Sequence, residues 1–310
     1  MENKIIIYQL SDIHIKGPGD RENSQDIFFA IDQVRQYLDQ EDENDDVYIT
    51  MLGDIFDKGV HQLEHVGTII ATFHLMIQKL APYQILMIPG NHDIPRNNYQ
   101  YDIISGCLMN PYDHVIYSRE NGLIFEKGVI RFYAHQECLY GEKAHQLDIK
   151  LDEDFINVGL FHETIKEYVT SRYDVSTANP ISHYDYDLMI LGDIHDYQFI
   201  DKHIAYCGSL IQHRFGESLD KGFIRWEIFQ DGEELKIEGK FIPLKLRRVF
   251  LGIPNPRSEK ELNKFLDDFE KKHSGAIIHT AKFSGRRIKD SQKLVEFTEI
   301  VNKRLKTNIK

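Results

Sequence analysis

The apolar and polar positions of this chain fall into segments with two different periods. Residues 4–10 form a β-branched, apolar run broken only by Gln9 and read as a buried strand. Residues 24–40 place Ile27, Phe28, Ile31, Val34 and Leu38 on one helical face, and 47–52 return to strand, which completes a βαβ unit. The helical spacing recurs over 61–80 through Leu63, Val66, Ile70, Phe73 and Ile77, and 83–88 supply a third strand. This order predicts a parallel sheet covered by helices. The second half is richer in strands: short runs at 122–125 and 129–133, apolar strands at 155–161 and 187–191, and late strands at 200–206 and 222–229. Beyond Pro243 the pattern becomes strand (248–253), a proline-containing turn, helix (258–273), strand (276–283) and a last helix (290–305). That succession predicts a separate small α+β domain, giving domains at 1–242 and 243–310.

Composition narrows the class. The chain has 310 residues, 42% hydrophobic and 28% charged, enough for a large core or for two domains of roughly 150 residues each, and disorder is excluded as the general state. Cys107, Cys138 and Cys207 contain no CxxC pair, which argues against a disulfide framework or a structural zinc site and for a reducing compartment. The first apolar run is too short for a signal peptide, and no stretch reaches the roughly 20 apolar residues of a membrane span. A soluble, cytoplasmic protein without membrane contact is therefore expected. Charge is unevenly placed. Residues 240–310 carry 18 basic and 8 acidic side chains, whereas the chain before them carries 19 and 41. The cationic tail is the part suited to face a polyanion, although a run of charge also reads as a solvated helical face. The acidic segment 39–46 reads as a solvated helix end and loop.

Five short polar clusters follow predicted strands: Asp12-Ile-His14, Gly53-Asp54, Gly90-Asn91-His92-Asp93, His162, and Gly192-Asp193-Ile-His195. In open α/β sheets, sites form at this carboxyl edge. Taken singly, each cluster has an ordinary explanation. A buried Asp can cap a helix, Asn91 can satisfy a turn, and an isolated histidine is commonly a core or surface residue. Taken together, Asp12, His14, Asp54, Asn91, His162, Asp193 and His195 supply three carboxylates, one amide oxygen and three imidazoles. That mixed inventory suits two divalent ions of borderline hardness such as manganese, and disfavours calcium or thiolate chemistry. Two ions roughly 3.5–4 Å apart can share a bridging carboxylate, activate water and neutralise a leaving oxygen, which is the chemistry of phosphoester hydrolysis.

In this series of motifs the chain resembles the calcineurin-like metallophosphoesterases, whose pattern D-x-H, G-D, G-N-H-D, H and G-H-x-H is followed with one departure, Asp193. The resemblance implies an α/β fold, a sandwich of mixed β-sheets flanked by helices, to which a small C-terminal α+β capping domain is added. It also implies two divalent metal ions, Mn2+ or Mg2+. Asp12, His14, Asp54 and His195 would hold one ion, and Asp54 as bridge, Asn91, His162 and Asp193 the other. His92, oriented by Asp93, would be the proton donor. A carboxylate at Asp193 keeps a ligand but adds negative charge, which lowers the Lewis acidity of the second ion.

Within that superfamily the chain is similar to the SbcD-type nucleases, including phage recombination endonuclease subunits. The similarity lies in GDIFD (53–57), GNHD, and Tyr206-Cys-Gly-Ser-Leu210 followed by Phe215-Gly-Glu217, and it covers about residues 4–242. It implies a DNA exonuclease or endonuclease of repair or recombination. The implied partners are DNA, an SMC-like ATPase of the SbcC type and a second copy of the chain. The tail occupies the place of a DNA-capping domain, with Arg247, Arg248, Arg286, Arg287 and Lys289 as phosphate contacts. Two alternatives stay open: a metallophosphoesterase acting on nucleotides, cyclic nucleotides or phosphoproteins, and a catalytically idle DNA-binding subunit that anchors an ATPase. Asp57 is read either as a support for the metal loop or as a capping or salt-bridge residue. His61 and His65 lack the second-position glutamate of a zinc protease and are taken as ordinary helix residues.

Overall fold

The β-branched run at the start of the chain forms β1 (Ile5–Leu10), with every residue buried. In the computed structural model the described residues are 3–17, 21–57, 66–94, 102–109, 112–135, 149–165, 185–284 and 291–306. In chain order β1 is followed by α1 (Arg21–Leu38), β2 (Asp46–Leu52), α2 (Val66–Leu80), β3 (Gln84–Ile88), α3 (Ile103–Cys107) and β4 (Val115–Tyr117). Next come β5 (Gly122–Lys127), β6 (Ile130–His135), β7 (Ile156–His162), β8 (Leu188–Gly192), β9 (Gln198–Asp201), β10 (Ile204–Tyr206), β11 (Gly222–Asp231) and β12 (Glu234–Pro243). The chain ends with β13 (Arg248–Pro254), α4 (Glu259–Lys272), β14 (Ile277–Ser284) and α5 (Ser291–Leu305).

The strands build two six-stranded mixed sheets, ordered β12-β11-β1-β2-β3-β4 and β5-β6-β7-β8-β10-β9. In each, four consecutive strands are parallel, β1 to β4 in one and β6, β7, β8 and β10 in the other, with antiparallel strands at the margins. This is the mixed-sheet sandwich expected above. Because side chains alternate along a strand, Ile5 and Ile7 join Leu52, Leu86, Phe132, Val158, Leu160 and Ile190 in one core between the sheets. Ile6, Tyr8, Ile49 and Met51 point the other way and are also buried. On that outer face Tyr8 stacks on Phe223 at 5.0 Å, and Tyr37 of α1 meets the same ring at 5.7 Å. α2 turns Ile69, Phe73, Met76 and Ile77 inward, and Phe73 packs on Phe56 at 5.5 Å.

Gln9 explains the polar break in the first strand. It shares the inward face with Ile5 and Ile7, and its Nε2 donates to the carbonyls of Leu191 (3.1 Å) and Ala205 (2.9 Å) in the facing sheet. Its Oε1 accepts from Trp226 Nε1 at 2.8 Å. A buried amide with its donor and acceptor capacity met is tolerated, and it fixes how the sheets face each other.

Three elements carry too little pattern to be read from sequence. α3 has only five residues and is set by Asp102, whose carboxylate caps it by accepting from Ser105 N–H. β4 is three residues long. β12 is largely polar and lies at a sheet edge, half-exposed, so it has no apolar run to announce it. The strand expected over 200–206 is two short antiparallel strands, β9 and β10, separated by a tight turn at Lys202 and His203.

The chain divides into two compact units, Met1–Leu210 with Asp220–Leu244, and Ile211–Leu219 with Lys245–Lys310. In the second, β13 and β14 pair in parallel, and Val249, Leu251, Ile253, Leu262, Leu266, Phe297 and Val301 form its core. Ser258 caps α4 by accepting from Glu261 N–H. Gln212 fixes the inserted segment by bonding both backbone groups of Phe250. Among the described residues, no helix is long and apolar enough to cross a membrane.

Candidate metal centre

Parallel strands deliver their carboxyl ends to one edge of their sheet, and the predicted clusters sit just beyond those ends. Asp12 and His14 follow β1, Asp54 follows β2, the 90–93 turn follows β3, His162 ends β7, and Asp193 and His195 follow β8. The first two loops are tied by Asp12 N–H to Gly53 O (3.2 Å), His14 N–H to Asp54 O (2.9 Å) and Ile15 N–H to Ile55 O (2.8 Å). The two sheets are tied across the gap by His162 Nδ1–H to Leu52 O (2.5 Å) and Asp193 N–H to Asp12 Oδ2 (3.2 Å). The bond to Leu52 places a proton on His162 Nδ1 and turns Nε2 toward the Asp54 carboxylate.

The side chains converge. Three sets of donor atoms lie within 4.8 Å of one another: Asp12, His14 and His195; His14, Asp54 and His92; and Asp12, Asp54 and His162. His195 Nε2 is 3.6 Å from Asp12 Oδ1 and 3.1 Å from His14 Nε2. His14 Nε2 is 3.7 Å from Asp54 Oδ2, and His162 Nε2 is 3.3 Å from Asp54 Oδ1. Metal–ligand bonds of about 2.0–2.2 Å place neighbouring donors about 3–3.5 Å apart, so this carboxylate and imidazole set fits divalent ions. Asp54 turns one oxygen toward His14 and the other toward His162. Asn91 occupies the exposed first position of the 91–93 turn. Asp193 stands at the margin, with Oδ1 3.9 Å from His162 Nε2 and Oδ2 accepting from the Thr164 hydroxyl.

Glycine is required where the loops touch. A Cβ on Gly90 would lie 2.3 Å from both N and Oδ1 of Asp54 and 2.7 Å from His162 Nε2; one on Gly192 would lie 2.3 Å from Leu52 O and Ser11 Oγ. Asp12, His14, Asp54 and Asp193 have φ of 52°, 49°, 49° and 87°, a left-handed conformation uncommon outside glycine and concentrated at functional sites.

Burial and charge oppose each other here. Burial raises the Asp12 carboxyl. At Asp54 the cost of burial is outweighed by His162 and the other imidazoles, which hold it well below the carboxylate range. At His162 burial is likewise outweighed by Asp54, which holds that imidazole well above its ordinary range. Asp93 is pushed up to about 7 by burial, with the Asp54 charge adding to it.

Asp93, expected to orient His92, has its carboxylate on backbone groups. Its carboxylate accepts from the N–H groups of Gly90 (2.8 Å), Phe56 (2.8 Å) and Ile55 (3.3 Å), so it joins the backbones of two loops. Asp57 is the carboxylate beside His92, with Oδ1 3.4 Å from Nδ1 and 3.8 Å from His14 Nδ1. Of the expected phosphate contacts, Arg248 is buried in the second unit at 5% exposure, with its guanidinium 5.5 Å from the Phe250 ring centroid, a poor position for surface contact. Arg247 is half-buried. Arg286, Arg287 and Lys289, like His61 and His65, lie outside the described residues.

Several supporting residues had no sequence signal of their own. Thr164 holds Asp193. Tyr206 pins the turn after His162, its hydroxyl accepting from Ile165 N–H at 3.0 Å and donating to Glu163 O at 2.9 Å. Lys221 and Ser209 bond the backbone of His195. Tyr206 and Ser209 fall in the stretch noted for its nuclease resemblance; Lys221 and Thr164 belong to no motif.

A family profile described as calcineurin-like phosphoesterase matches residues 5–197, the span that holds every member of this cluster. Among curated proteins, an uncharacterized protein of Acanthamoeba polyphaga mimivirus is 28% identical over 246 residues, which is 74% of this chain and 18% of that protein. The chain thus spans less than a fifth of that relative's length. Among solved structures, a dimetal phosphatase from Danio rerio aligns with a TM-score of 0.45 and 11% identity, over 78% of this chain and 99% of that one.

Proposed function

This chain belongs to the calcineurin-like phosphoesterases, metal-dependent hydrolases, and from that premise we propose that it cleaves phosphodiester bonds in DNA as a two-metal nuclease. The observation that carries the hydrolytic part is the meeting of Asp12, His14, Asp54, His162 and His195 with donor atoms 3.1–3.9 Å apart. Asp12, His14, Asp54 and His195 would hold one divalent ion, and Asp54, Asn91, His162 and Asp193 the other, with Mn2+ as the preferred metal and Mg2+ next. When bound, such ions supply Lewis acidity and an activated water. The chain's own groups do the rest. The carboxylates and imidazoles would hold the ions, whose positive charge would draw in the anionic phosphate, and the backbone bonds between the loops keep those donors from spreading. His92 delivers a proton from Nε2 to the leaving oxygen, steadied by Asp57 at Nδ1.

The choice of DNA is supported by the excess of 18 basic over 8 acidic residues in 240–310 and by the Tyr206-to-Glu217 stretch. Purified protein with Mn2+ is to be assayed on single-stranded, double-stranded and hairpin DNA and on a chromogenic diester across a salt series. Cleavage of DNA that falls steeply with salt, with diester turnover much less affected, is expected. Equal salt responses would remove the DNA grip, and turnover of nucleotides or phosphoproteins without DNA cleavage would replace the substrate.

A further inference from the structure

The loop that carries His195 is held from beneath by a cation. Lys221 immediately precedes β11, and its side chain is 0% exposed. Its Nζ donates to the His195 carbonyl at 2.8 Å and to Ser209 Oγ at 2.9 Å, and stands 3.8 Å from Asp196 Oδ1. The same carbonyl accepts from Ser209 N–H at 3.1 Å. Placing an ammonium out of water is unfavourable unless acceptors replace its hydration. Here the acceptors are grouped around the backbone of one residue, whose ring stands 3.1 Å from His14 Nε2 and 3.6 Å from Asp12 Oδ1. Two positions earlier Asp193 has φ of 87°, so the turn between the two ligand positions is of a kind that other contacts must over-determine.

We propose that Lys221 is a positioning residue for His195. By gripping the His195 carbonyl, Lys221 fixes the backbone that aims the imidazole at the Asp12 and His14 side of the centre. The inference rests on the two-metal reading above and concerns only the ion on that side. It predicts a lesion confined to one metal site, whereas a general packing role for Lys221 would weaken both or neither.

The test is Mn2+ binding by titration calorimetry on the full chain, unmodified and as Lys221→Met, each also carrying His195→Ala or His162→Ala. Lys221→Met should weaken one of two sites about 10- to 100-fold, the usual effect of removing a group that orients a ligand. The weakening should persist with His162→Ala and vanish with His195→Ala, because a group acting through His195 has nothing left to position. Unchanged binding, equal weakening of both sites, or an effect that survives His195→Ala would overturn the proposal. Should Lys221→Met fail to fold, Ser209→Ala removes one acceptor of the ammonium with little change of shape. It should weaken the same site to a smaller extent, and binding identical to the unmodified chain would overturn the proposal. Uptake of fewer than two Mn2+ by the unmodified chain would instead overturn the two-metal reading itself.

Discussion

Replacing Gln9 by leucine tests whether a single buried amide joins the two sheets below the metal loops. Leucine keeps most of the volume and deletes the bonds to Leu191 O, Ala205 O and Trp226 Nε1–H. Trp226 is buried, and its N–H without an acceptor costs about 1–3 kcal/mol. Each carbonyl retains a second lone pair and loses about 0.5–1.5 kcal/mol. Leucine returns roughly 1–2 kcal/mol by apolar burial, so a net loss of about 1–4 kcal/mol is expected. For a fold of this size that lowers the melting midpoint by about 2–8 °C. Trp226 is the chain's sole tryptophan, so its emission reports unfolding from the bond in question. Adding Trp226→Phe removes the stranded donor, and the double variant, followed by circular dichroism, should lose less than the sum of the single losses. A Gln9→Leu protein melting within about 2 °C of the unmodified chain, or strict additivity with Trp226→Phe, would refute the reasoning.

Three further outcomes are expected. Asp193→His retains Mn2+-dependent hydrolysis of a chromogenic diester and Asp193→Ala loses it; full activity of the alanine variant contradicts the ligand assignment. Asp93→Asn turns an amide donor toward backbone N–H groups and destabilises the chain by about 1–3 kcal/mol in urea melts, whereas Asp57→Asn leaves the melt near that of the unmodified chain and slows turnover most for substrates with alkoxide leaving groups. The reverse pattern would return the orienting role to Asp93. Burial pushes the His135 imidazole down to about 3, while the unfolded chain takes up that proton near 6.5. Below about pH 6.5 the unfolded state therefore binds more protons, so this contribution to stability is complete above that pH and declines by about 1.4 kcal/mol per unit as pH falls toward 3. Urea midpoints of His135→Phe should lack that part of the acid slope, and parallel slopes for the two proteins would count against it.

What the sequence discloses is local, and the structure follows it where a local pattern sets the outcome. Val34 and Leu38 report a helix face because that face is buried in α1, and Gln9 betrays its own importance by interrupting an otherwise apolar strand. The residues of the candidate metal centre are legible for a related reason: a strand end followed by a ligand-type side chain is a short-range signal. Partner choice is different in kind. Asp93 adjoins His92 in its motif whereas Asp57 belongs to the separate 53–57 motif, and only the fold decides that the first meets three amides and the second the imidazole. Lys221 lies 26 residues from His195 beside an unremarkable strand start. Its role depends on the pairing of β11 with β1 and on where the Ser209 turn falls, neither of which any segment encodes alone. β12 carries no such signal, because an edge strand half in water needs little apolar content.

The strained backbone at the centre and the sandwich beneath it are two parts of one arrangement. An L residue in the left-handed region is disfavoured by about 1 kcal/mol or more, and Asp12, His14, Asp54 and Asp193 all adopt it. Glycine would adopt it freely, as Gly53 does at φ of 75°, but glycine brings no oxygen or imidazole. The conformation is kept because leaving the strand at once is what turns these side chains across the gap toward the facing sheet. The loops cannot relax out of it, since four backbone bonds join the Asp12 and Asp54 turns and further bonds anchor them to His162 and Asp193. Two buried carboxylates would otherwise separate under their own repulsion. With the strands fixed by a continuous core between the sheets, that repulsion is instead held against a rigid base, and a divalent cation is the partner that relieves it.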